Sequence, residues 1–442
     1  MKVSVIGCGY LGAVHAAAMA SLGHEVVGVD VDPIRVAALA AGRAPFYEPD
    51  LDELLARTGR AGRLSFTTDI EDVKGASVHF VCVGTPQSAD SDAADLRYVE
   101  AVFAALVPVL QPGDVVAGKS TVPVGTAEGH VAEVEAAGAR LVWNPEFLRE
   151  GYAIRDTLSP DRLVYGLAPG DATSAAVLDA VYARQLDAGT PRIVTDLTTA
   201  ELVKVAANSF LATKISFINA MAELCEVAGG DVGTLADAIG LDPRIGRKFL
   251  GAGVGFGGGC LPKDIRAFSV RAHELGADSA GGLLREVDAI NLRRRAHVVD
   301  LVQNELGGLV GARVTVLGAA FKPDSDDVRD SPALDVALRL ASAGADVVVT
   351  DPRAIDSARR VAPGLTYVAD LEDAVRGADA VVLLTEWPQY RDADPVRLGA
   401  LASRRVVVDG RRVLDRAAWE VAGWRVRVIG SADGPMGILS AG

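Results

Sequence analysis

KVSVIGCGYLGAVHAAAMASL, residues 2–22, is the stretch that determines the fold of the first part of this chain. Its first five residues are typical of a short buried strand, and Gly7, Gly9 and Gly12 follow as G-x-G-x-x-G before an alanine-rich helical stretch. The first glycine permits a tight turn, the second lets the backbone approach a pyrophosphate, and the third lets the helix pack on the strand. The pattern therefore predicts a dinucleotide-binding βαβ unit.

The second strand of this unit, residues 25–29, leads into Asp30, 18 residues after Gly12. A carboxylate there hydrogen-bonds the ribose hydroxyls of NAD and repels the extra phosphate of NADP, so NAD is the expected cofactor. Arg35 is close enough in sequence to interact with the adenosine end. The residues expected to contact NAD here are Gly7, Gly9, Tyr10, Leu11, Gly12, Asp30 and Arg35.

Three later stretches, residues 78–83, 114–117 and 140–143, are also typical of strands. They lead into loops that carry glycine and polar residues, GTP, STVPVGT and NPEFLREG, which begin at residues 84, 120 and 144. Ligands of open parallel sheets bind beyond the carboxyl ends of the strands. We therefore expect these loops to line one site.

A long helix is predicted from Thr198, because Glu201 completes a capping box and no glycine or proline follows until Gly229. Lys204 and Asn208 lie four residues apart and so share a face of it. A helical lysine is most often a solvated surface charge, but the apolar residues around Lys204 argue against that here. Helical sequence continues to about residue 306, which predicts an all-helical connecting region.

A second α/β unit is predicted from apolar runs at residues 313–318, 346–351, 380–384 and 405–409. It lacks the glycine motif, so it is expected to bind a different nucleotide or a substrate, with charge from Lys322 and Arg329. The predicted fold is α/β, with two Rossmann-like, doubly wound parallel-sheet domains joined by the helical region. The predicted domains are residues 1–197, 198–306 and 307–442.

Cys260 ends a run with six glycines in nine residues, GAGVGFGGG, and is followed by LPKD. Such a run indicates left-handed backbone or close approach to a ligand, although a flexible loop with a small buried thiol is the simpler interpretation. Lys263 favours the thiolate and Asp264 can hold a proton, so a catalytic thiol is the alternative. This segment alone leaves both interpretations open.

Composition excludes several classes of protein. The net charge of −14 and a pI near 5.0 argue against nucleic acid or an anionic membrane as the main partner. No apolar run approaches the length of a membrane span, and the N-terminus is not typical of a signal peptide. The four cysteines are far apart and form no CxxC pair, so we expect no metal site and a reducing cytoplasm.

Seven motifs, taken together, resemble the UDP-glucose 6-dehydrogenase family of NAD-dependent nucleotide-sugar dehydrogenases. They are GCGYLG (7–12), YEPDLDELL (47–55), VGTP (83–86), STVPVGT (120–126), NPEFLREG (144–151), GVGFGGGCLPKD (253–264) and FKPDSDDVRDSP (321–332). The resemblance implies that UDP-glucose is oxidised to UDP-glucuronate with two NAD, through a cysteine thiohemiacetal and thioester. It also implies a C-terminal UDP domain and a dimer, or a higher homo-oligomer, formed by the helical region.

The resemblance also implies roles for individual residues. The catalytic set falls on Cys260, Lys204, Asn208, Asp264, Glu150, Thr121 and Glu146. Further cofactor contacts fall on Thr85, Thr121, Glu150, Lys263 and Arg329. Substrate contacts fall on Phe147, Leu148, Arg149, Glu150, Lys204, Asn208, Arg244, Phe249, Leu250, Gly251, Ala252, Gly253, Gly257 and Lys322. In the family, the arginine matched by Arg244 reaches the partner subunit's substrate.

Three alternatives remain. GDP-mannose dehydrogenases share the cysteine chemistry, but FKPDSDDVRDSP and residues 385–387 favour the UDP-glucose branch. UDP-N-acetylmannosamine dehydrogenases fit NPEFLREG and CLPKD less well. A catalytically silent NAD-sensing protein would be expected to lack part of the catalytic set.

The chain departs from the family at three positions. Asn is more usual at Gly251, Gly at Asp50 and Asn at Arg412. These departures affect the expected affinity for the substrate more than the expected type of reaction.

Overall fold

The computed structural model of the protein describes residues 1–431. It contains two compact units. The first comprises Met1–Asn208 and Arg266–Gly281, and the second comprises Ser209–Ile265 together with the chain from Gly282 onwards. None of the helices described is long and apolar enough to cross a membrane.

The first unit contains one eight-stranded sheet. Its strands are β1 (Lys2–Ile6), β2 (Glu25–Val29), β3 (Leu64–Thr67), β4 (Val78–Val81), β5 (Val115–Gly118), β6 (Arg140–Trp143), β7 (Leu163–Leu167) and β8 (Arg192–Asp196). Their order is β3-β2-β1-β4-β5-β6-β7-β8. Every neighbouring pair is parallel except β6 and β7. The strand order reverses between β1 and β4, where a doubly wound sheet leaves a crevice for its ligand.

Helices cover both faces of this sheet. They are α1 (Tyr10–Ser21), α2 (Pro33–Ala40), α3 (Leu51–Arg60), α4 (Arg97–Leu106), α5 (Thr126–Ala136), α6 (Ala153–Leu158), α7 (Ser174–Val181) and α8 (Ala183–Asp187), with short 3₁₀ turns at Ile70–Val73 and Val107–Val109. Strand side chains alternate between two apolar clusters: Val3 and Val5 belong to one, and Ile6 belongs to the other. Because both faces are buried, the central strands are nearly continuous apolar runs.

Four helices follow in the predicted helical region: α9 (Leu197–Ala228), α10 (Val232–Gly240), α11 (Leu261–Glu274) and α12 (Asp278–Leu306). The long helix α9 ends at Ala228, as the uninterrupted sequence predicted. The capping-box prediction was wrong. The side chain of Asp196 accepts the backbone N–H of Thr199 at 2.7 Å, while the Glu201 carboxylate accepts the backbone N–H groups of Gly125 and Ala127 at the start of the distant α5.

The second unit contains a six-stranded parallel sheet in the order β11-β10-β9-β12-β13-β14. Its strands are β9 (Arg313–Leu317), β10 (Asp346–Thr350), β11 (Thr366–Tyr367), β12 (Ala380–Leu383), β13 (Val406–Asp409) and β14 (Arg425–Val428). Its helices are α13 (Pro332–Ser342), α14 (Ile355–Val361), α15 (Leu371–Val375), α16 (Pro388–Arg391), α17 (Pro395–Leu401) and α18 (Arg416–Val421). This order repeats that of the first six strands of the other sheet. The predicted fold, two Rossmann-like sheets and a helical region with a long helix, is confirmed.

Candidate active site

The glycine motif forms the turn between β1 and α1. Gly7 has φ +88°, in the left-handed region, and a Cβ built on Gly12 would overlap the carbonyl oxygen of Gly7. A Cβ on Gly9 would meet nothing within 4 Å, so this glycine keeps open the space at the N-terminus of α1. Free N–H groups and the partial positive charge of a helix N-terminus suit a pyrophosphate. The motif therefore fits the predicted dinucleotide.

Asp30 lies at the carboxyl end of β2 and is buried. Its Oδ2 accepts the backbone N–H of Cys8 at 2.8 Å, which ties the end of β2 to the glycine turn. Arg35 Nη1 donates to both carboxylate oxygens, at 2.8 and 3.0 Å. Arg35, which was expected at the adenosine end, thus contacts the carboxylate that was expected to bind the ribose.

The loop that carries Thr121 is held at both ends. Thr85 Oγ1 donates to the carbonyl of Thr121 at 2.6 Å. At the start of α5, Glu201 accepts the N–H groups of Gly125 and Ala127, both at 2.7 Å. Burial raises the pKa of Glu201 to about 7, even though these two donors act to lower it. Glu201 thus anchors to α9 a loop that carries a candidate catalytic residue.

Glu48 plays the same part on the NPEFLREG loop. It accepts the N–H groups of Gly151 and Ala153, at 2.6 and 2.8 Å, where α6 begins. The hydroxyl of Tyr10, in the glycine motif, also donates to Glu48. Neither Glu48 nor Glu201 was predicted as a site residue, because the backbone N–H groups that they bind lie more than 70 residues away in the chain.

Lys204 is buried rather than solvated, and donates to Glu146 Oε1 at 3.0 Å. Its ammonium also lies 5.7 Å from the ring centroid of Phe147. Glu146 Oε2 in turn accepts the N–H of Leu148 at 2.6 Å, which fixes the carboxylate. The structure thus brings together four predicted residues, and Asn208, one helical turn further along α9, is buried as well.

Cys260 is exposed, whereas Cys8, Cys82 and Cys225 are buried. It immediately precedes α11, and its carbonyl accepts the N–H of Asp264 at 3.0 Å in the first turn. A helix N-terminus favours a thiolate. The small-buried-thiol interpretation is therefore wrong.

Two predicted partners of the thiol interact with each other. The buried Asp264 accepts a hydrogen bond from Lys263 Nζ at 2.5 Å. Lys263 was predicted to favour the thiolate and to contact the cofactor, and in this structure its ammonium also neutralises Asp264. Lys204 and Asn208 belong to the first unit, and Cys260 and Asp264 to the second.

The glycine run before Cys260 is required by the protein's own packing. Gly255 and Gly258 have φ of +103° and +87°, in the left-handed region. A Cβ on Gly257 would overlap the carbonyl of Asp330, whereas one on Gly259 would meet the terminal guanidinium of Arg329, which can move aside. The backbone is also fixed, because the Asn291 amide bonds both N–H and C=O of Phe256, at 2.8 and 3.0 Å.

The predicted substrate residues differ in exposure. Leu250, Ala252, Gly253 and Gly257 are buried, whereas Phe249 and Gly251 are exposed. Arg244 is exposed and pairs with Asp242 at 2.6 Å. Lys322, in the loop after β9, lies 5.3 Å from the ring centroid of Phe321.

The second sheet repeats the turn of the first without a dinucleotide motif. Gly318 ends β9 with φ +112°, and a Cβ there would overlap Thr385. Asp351 occupies the position of Asp30, but its Oδ2 accepts the N–H groups of Ala319 and Ala320, at 2.8 and 3.0 Å. Trp387 Nε1 donates to the same oxygen at 3.2 Å. These contacts tie the end of β10 to the turn after β9, as Asp30 ties β2 to the glycine turn.

Two of the three departures from the family lie in left-handed backbone. Asp50 has φ +63° and Arg412 has φ +60°, where glycine and asparagine are the favoured residues. Arg412 gains an ion pair with Asp231 at 2.6 Å. A Cβ on Gly251 would meet nothing within 4 Å, so asparagine would fit there too.

Comparison with known proteins covers nearly all of the chain. Residues 1–186 match the NAD binding domain of the UDP-glucose/GDP-mannose dehydrogenase family, residues 198–293 its central domain, and residues 315–416 its UDP binding domain.

Two relatives and a solved structure are similar over almost their whole length. The UDP-glucose 6-dehydrogenase of Rhizobium meliloti (strain 1021) is 41% identical, covering 98% of this chain and 100% of the relative. UDP-glucose 6-dehydrogenase TuaD of Bacillus subtilis (strain 168) is 40% identical, and the match covers 97% of this chain and 93% of the relative. The structure of a UDP-glucose dehydrogenase from Pyrobaculum islandicum is 42% identical with a TM-score of 0.88, and the match covers 98% of this chain and 97% of that one. The chain belongs to the UDP-glucose/GDP-mannose dehydrogenase family and is an NAD-dependent dehydrogenase.

Proposed function

We propose that this protein oxidises UDP-glucose to UDP-glucuronate, using two NAD and one water. The observation that carries the proposal is Cys260, an exposed thiol at the N-terminus of α11, in a chain whose other cysteines are buried. A thiol placed to attack an aldehyde suits a four-electron oxidation, because it retains the reactive intermediate on the enzyme. The UDP-glucose 6-dehydrogenases that share about 40% of its sequence support the substrate.

NAD is the hydride acceptor for both oxidations when it is bound. The residues that would hold it in the first unit are the glycine turn from Gly7 to Gly12, Asp30 with Arg35, and Thr85. Lys263 and Arg329 are proposed as further contacts. The buried Asp30 carboxylate favours ribose hydroxyls over a phosphate, which supports NAD over NADP.

The first oxidation converts the C6 hydroxyl to an aldehyde. Asp264, directly or through a water it holds, takes the hydroxyl proton, and Lys204 and Asn208 stabilise the developing oxyanion. The Cys260 thiolate then attacks the carbonyl carbon, a C–S bond forms, and the oxygen takes up a proton to give a thiohemiacetal.

The second oxidation removes the remaining hydride from C6 and leaves a thioester on Cys260. A water held by Thr121 and Glu150 attacks the thioester carbonyl, the C–S bond breaks, and the thiolate leaves. Glu146, the further acidic residue of this loop, held against Lys204, takes the proton that the attacking water releases. The products are the acid, two NADH and the released protons.

Substrate binding is proposed for both units. In the first unit it involves Phe147 to Glu150, whose loop is anchored by Glu48. In the second it involves Phe249 to Gly253, Gly257 and Lys322, in the part that contains the match to the UDP binding domain. The proposed functional division is residues 1–197 for NAD, 198–306 for dimerisation and part of the active site, and 307–442 for the UDP-sugar.

A homodimer is proposed from the surface of α9. Phe210, Phe217 and Leu224 are exposed at seven-residue spacing, which places three large apolar side chains along one stripe. A second copy of the chain would cover this stripe, and Arg244 would then reach the partner's substrate. Sedimentation velocity is expected to show a dimer that Phe217→Asp converts to monomer; a monomeric unsubstituted protein would overturn this part.

A substrate panel tests the proposed reaction. The purified protein is given NAD with UDP-glucose, GDP-mannose or UDP-N-acetylmannosamine, and NADH is counted per sugar consumed. We expect two NADH per UDP-glucose, and a loss of this yield in Cys260→Ala, with Cys225→Ala as the matched control. Preference for GDP-mannose would identify the alternative member of the family, and full acid formation by Cys260→Ala would exclude the covalent route.

A further inference from the structure

Lys119 is a buried cation that the proposed mechanism does not use. It follows β5 directly and is 6% exposed. Its Nζ donates to the carbonyl and side-chain oxygens of Asn144, both at 3.2 Å, and lies 3.4 Å from the hydroxyl of Tyr182. All three partners are uncharged. A buried ammonium without a directly bonded carboxylate is costly, so its retention calls for a function.

The geometry around Lys119 is fixed rather than accidental. Asn144 Nδ2 donates to the carbonyl of Val164 at 2.9 Å, which turns the amide oxygen towards Lys119. The Tyr182 hydroxyl donates to that same amide oxygen at 2.7 Å. The ammonium also lies 5.8 Å from the ring centroids of both Phe80 and Tyr182. The end of β5 is thereby joined to the end of β6, where the NPEFLREG loop begins.

A cavity of about 50 Å³ adjoins this amine. Lys119, Glu146, His15 and Tyr182 contribute to its walls, as does the exposed Asp161. His15 Nε2 is buried and has no hydrogen-bond partner within the protein. A polar cavity of this size holds water, and a water there would satisfy His15. The cavity therefore links Glu146, the hydrogen-bond partner of Lys204, with Lys119 and with a side chain at the surface.

We propose that Lys119 is a positioning residue that acts through Glu146 by taking up its proton through the cavity water. The Lys119 ammonium first releases a proton to water that exchanges with solvent beside Asp161. The neutral amine so formed accepts a proton from the Glu146 carboxyl group by way of the cavity water. Each cycle restores the Glu146 carboxylate and the Lys119 ammonium. This inference rests on the proposed function, whose two oxidations and hydrolysis release protons.

Five titratable groups face Lys119: His15 on α1, Cys82 after β4, Glu146 after β6, Tyr182 after α7, and Lys204 on α9. Burial lowers the pKa of Lys119 to about 8, and the charges of Cys82 and Glu146 only partly oppose this. Burial raises the pKa of Cys82 to about 12 and that of Tyr182 well above its usual value, and lowers that of His15. The pKa of Lys119 thus suits it to exchange protons with Glu146 near neutral pH.

The first test is an NMR titration of the whole protein without substrate. The chain has eight lysines, so ¹³Cε-lysine labelling gives few signals, and Lys119→Arg identifies the one that belongs to Lys119. We expect this signal to titrate near pH 8, clearly below the signals of surface lysines such as Lys74. Titration together with Lys74 would overturn the inference.

The second test is turnover with the best sugar of the panel. Lys119→Arg keeps the charge but cannot give up its proton, and Lys119→Met keeps the volume. Both are expected to lower kcat at least about tenfold with little change in KM, and to alter the kcat–pH profile, while Lys74→Met changes neither. A Lys119→Arg variant with unchanged kcat and pH profile would show that Lys119 serves only to hold the loop.

Chemical rescue separates proton transfer from packing. Small primary amines are expected to restore turnover to Lys119→Ala, with a rate that depends on the pKa of the amine. Rescue that is absent, or independent of amine pKa, would contradict the inference. A protein that oxidises none of the panel would count against the proposed function, whereas the NMR titration would still decide the protonation of Lys119.

Discussion

Lys204 Nζ donates to Glu146 Oε1 across 3.0 Å, joining the helix α9 to the loop after β6. Because Lys204 is buried and Glu146 is partly buried, removing either one deprives the other of a charged contact that water replaces poorly. We expect Lys204→Met and Glu146→Gln each to lower kcat about 100-fold, and the double variant to be little worse than either. Steady-state kinetics of all three variants measure this; fully additive losses would show that the two residues act independently. Glu135→Gln, in an exposed pair with Arg140, is the control.

Asp30→Asn should weaken the preference for NAD. The amide removes the charge that repels the NADP phosphate and releases Arg35 from its ion pair. We expect kcat/KM for NAD to fall about tenfold or more, because a charge-assisted hydrogen bond is lost. The ratio of kcat/KM for NADP to kcat/KM for NAD should rise. Asp32→Asn, which keeps the N-cap of α2, should leave the ratio unchanged. An unaltered ratio in Asp30→Asn would mean that Asp30 does not face the ribose.

Glu201→Gln should loosen the loop that carries Thr121. The amide can accept from one of the two N–H groups of Gly125 and Ala127, but its NH₂ group opposes the other. We expect the stability of the protein to fall by about 1–2 kcal/mol and kcat to fall several-fold. Denaturation and kinetics test this, with the exposed Glu128→Gln as control. Unchanged kcat with lowered stability would limit Glu201 to a structural role.

Asp50→Gly should stabilise the protein. Asp50 is exposed and its backbone is in the left-handed region, and its side chain makes no capping hydrogen bond to α3. Glycine removes the steric cost of this conformation, so the free energy of unfolding should rise by roughly 0.5–1 kcal/mol. Asp50→Ala should lower it, because alanine lacks the local hydrogen bonding that helps aspartate here. Equilibrium denaturation measures the free energy of unfolding of both variants. If Asp50→Ala were more stable than the unsubstituted protein, the backbone at this position would not be strained.

Glu226 should make the second unit sensitive to acid. Burial alone would raise its pKa, but His297, Arg294 and the N–H of Gly430 together lower it to about 2. Because the folded pKa lies below that of an unfolded glutamate, the carboxylate adds stability above about pH 4 and loses this contribution as the pH falls towards 2. Between pH 6 and pH 2, the free energy of unfolding should fall by roughly 2 kcal/mol less in Glu226→Gln than in the unsubstituted protein. Parallel plots of this free energy against pH for the two proteins would contradict the assignment to Glu226.

The sequence predicted most of the two sheets because their central strands are buried on both faces. The runs that became β1, β6 and β9 could be located within a residue or two. The edge strands could not: β8 is largely exposed and carries no continuous apolar run, and β11 has only two residues. Short or exposed strands depend on pairing with neighbours, which no local pattern reports.

The same limit applies to the site. Asp30 and the glycine motif were predicted because their spacing is local, and Cys260 because its neighbours are unusual. Glu48 and Lys119 were missed, since each takes its role from backbone or side chains brought close by folding. Glu201 was assigned to its own helix because a capping box is a local pattern, whereas its actual partners lie 74 and 76 residues away.

The packing around the glycines before Cys260 has a consequence for sequence variation. Side chains are excluded at Gly255, Gly257 and Gly258 by Asn291, Asp330 and Phe321, and none of these obstacles is a ligand. Natural and laboratory variants should therefore be depleted at these three positions even where selection acts only on the amount of folded protein. Gly251 should accept many substitutions under the same selection. The segment before Cys260 would then evolve as slowly as a hydrophobic core, whichever sugar nucleotide the enzyme uses.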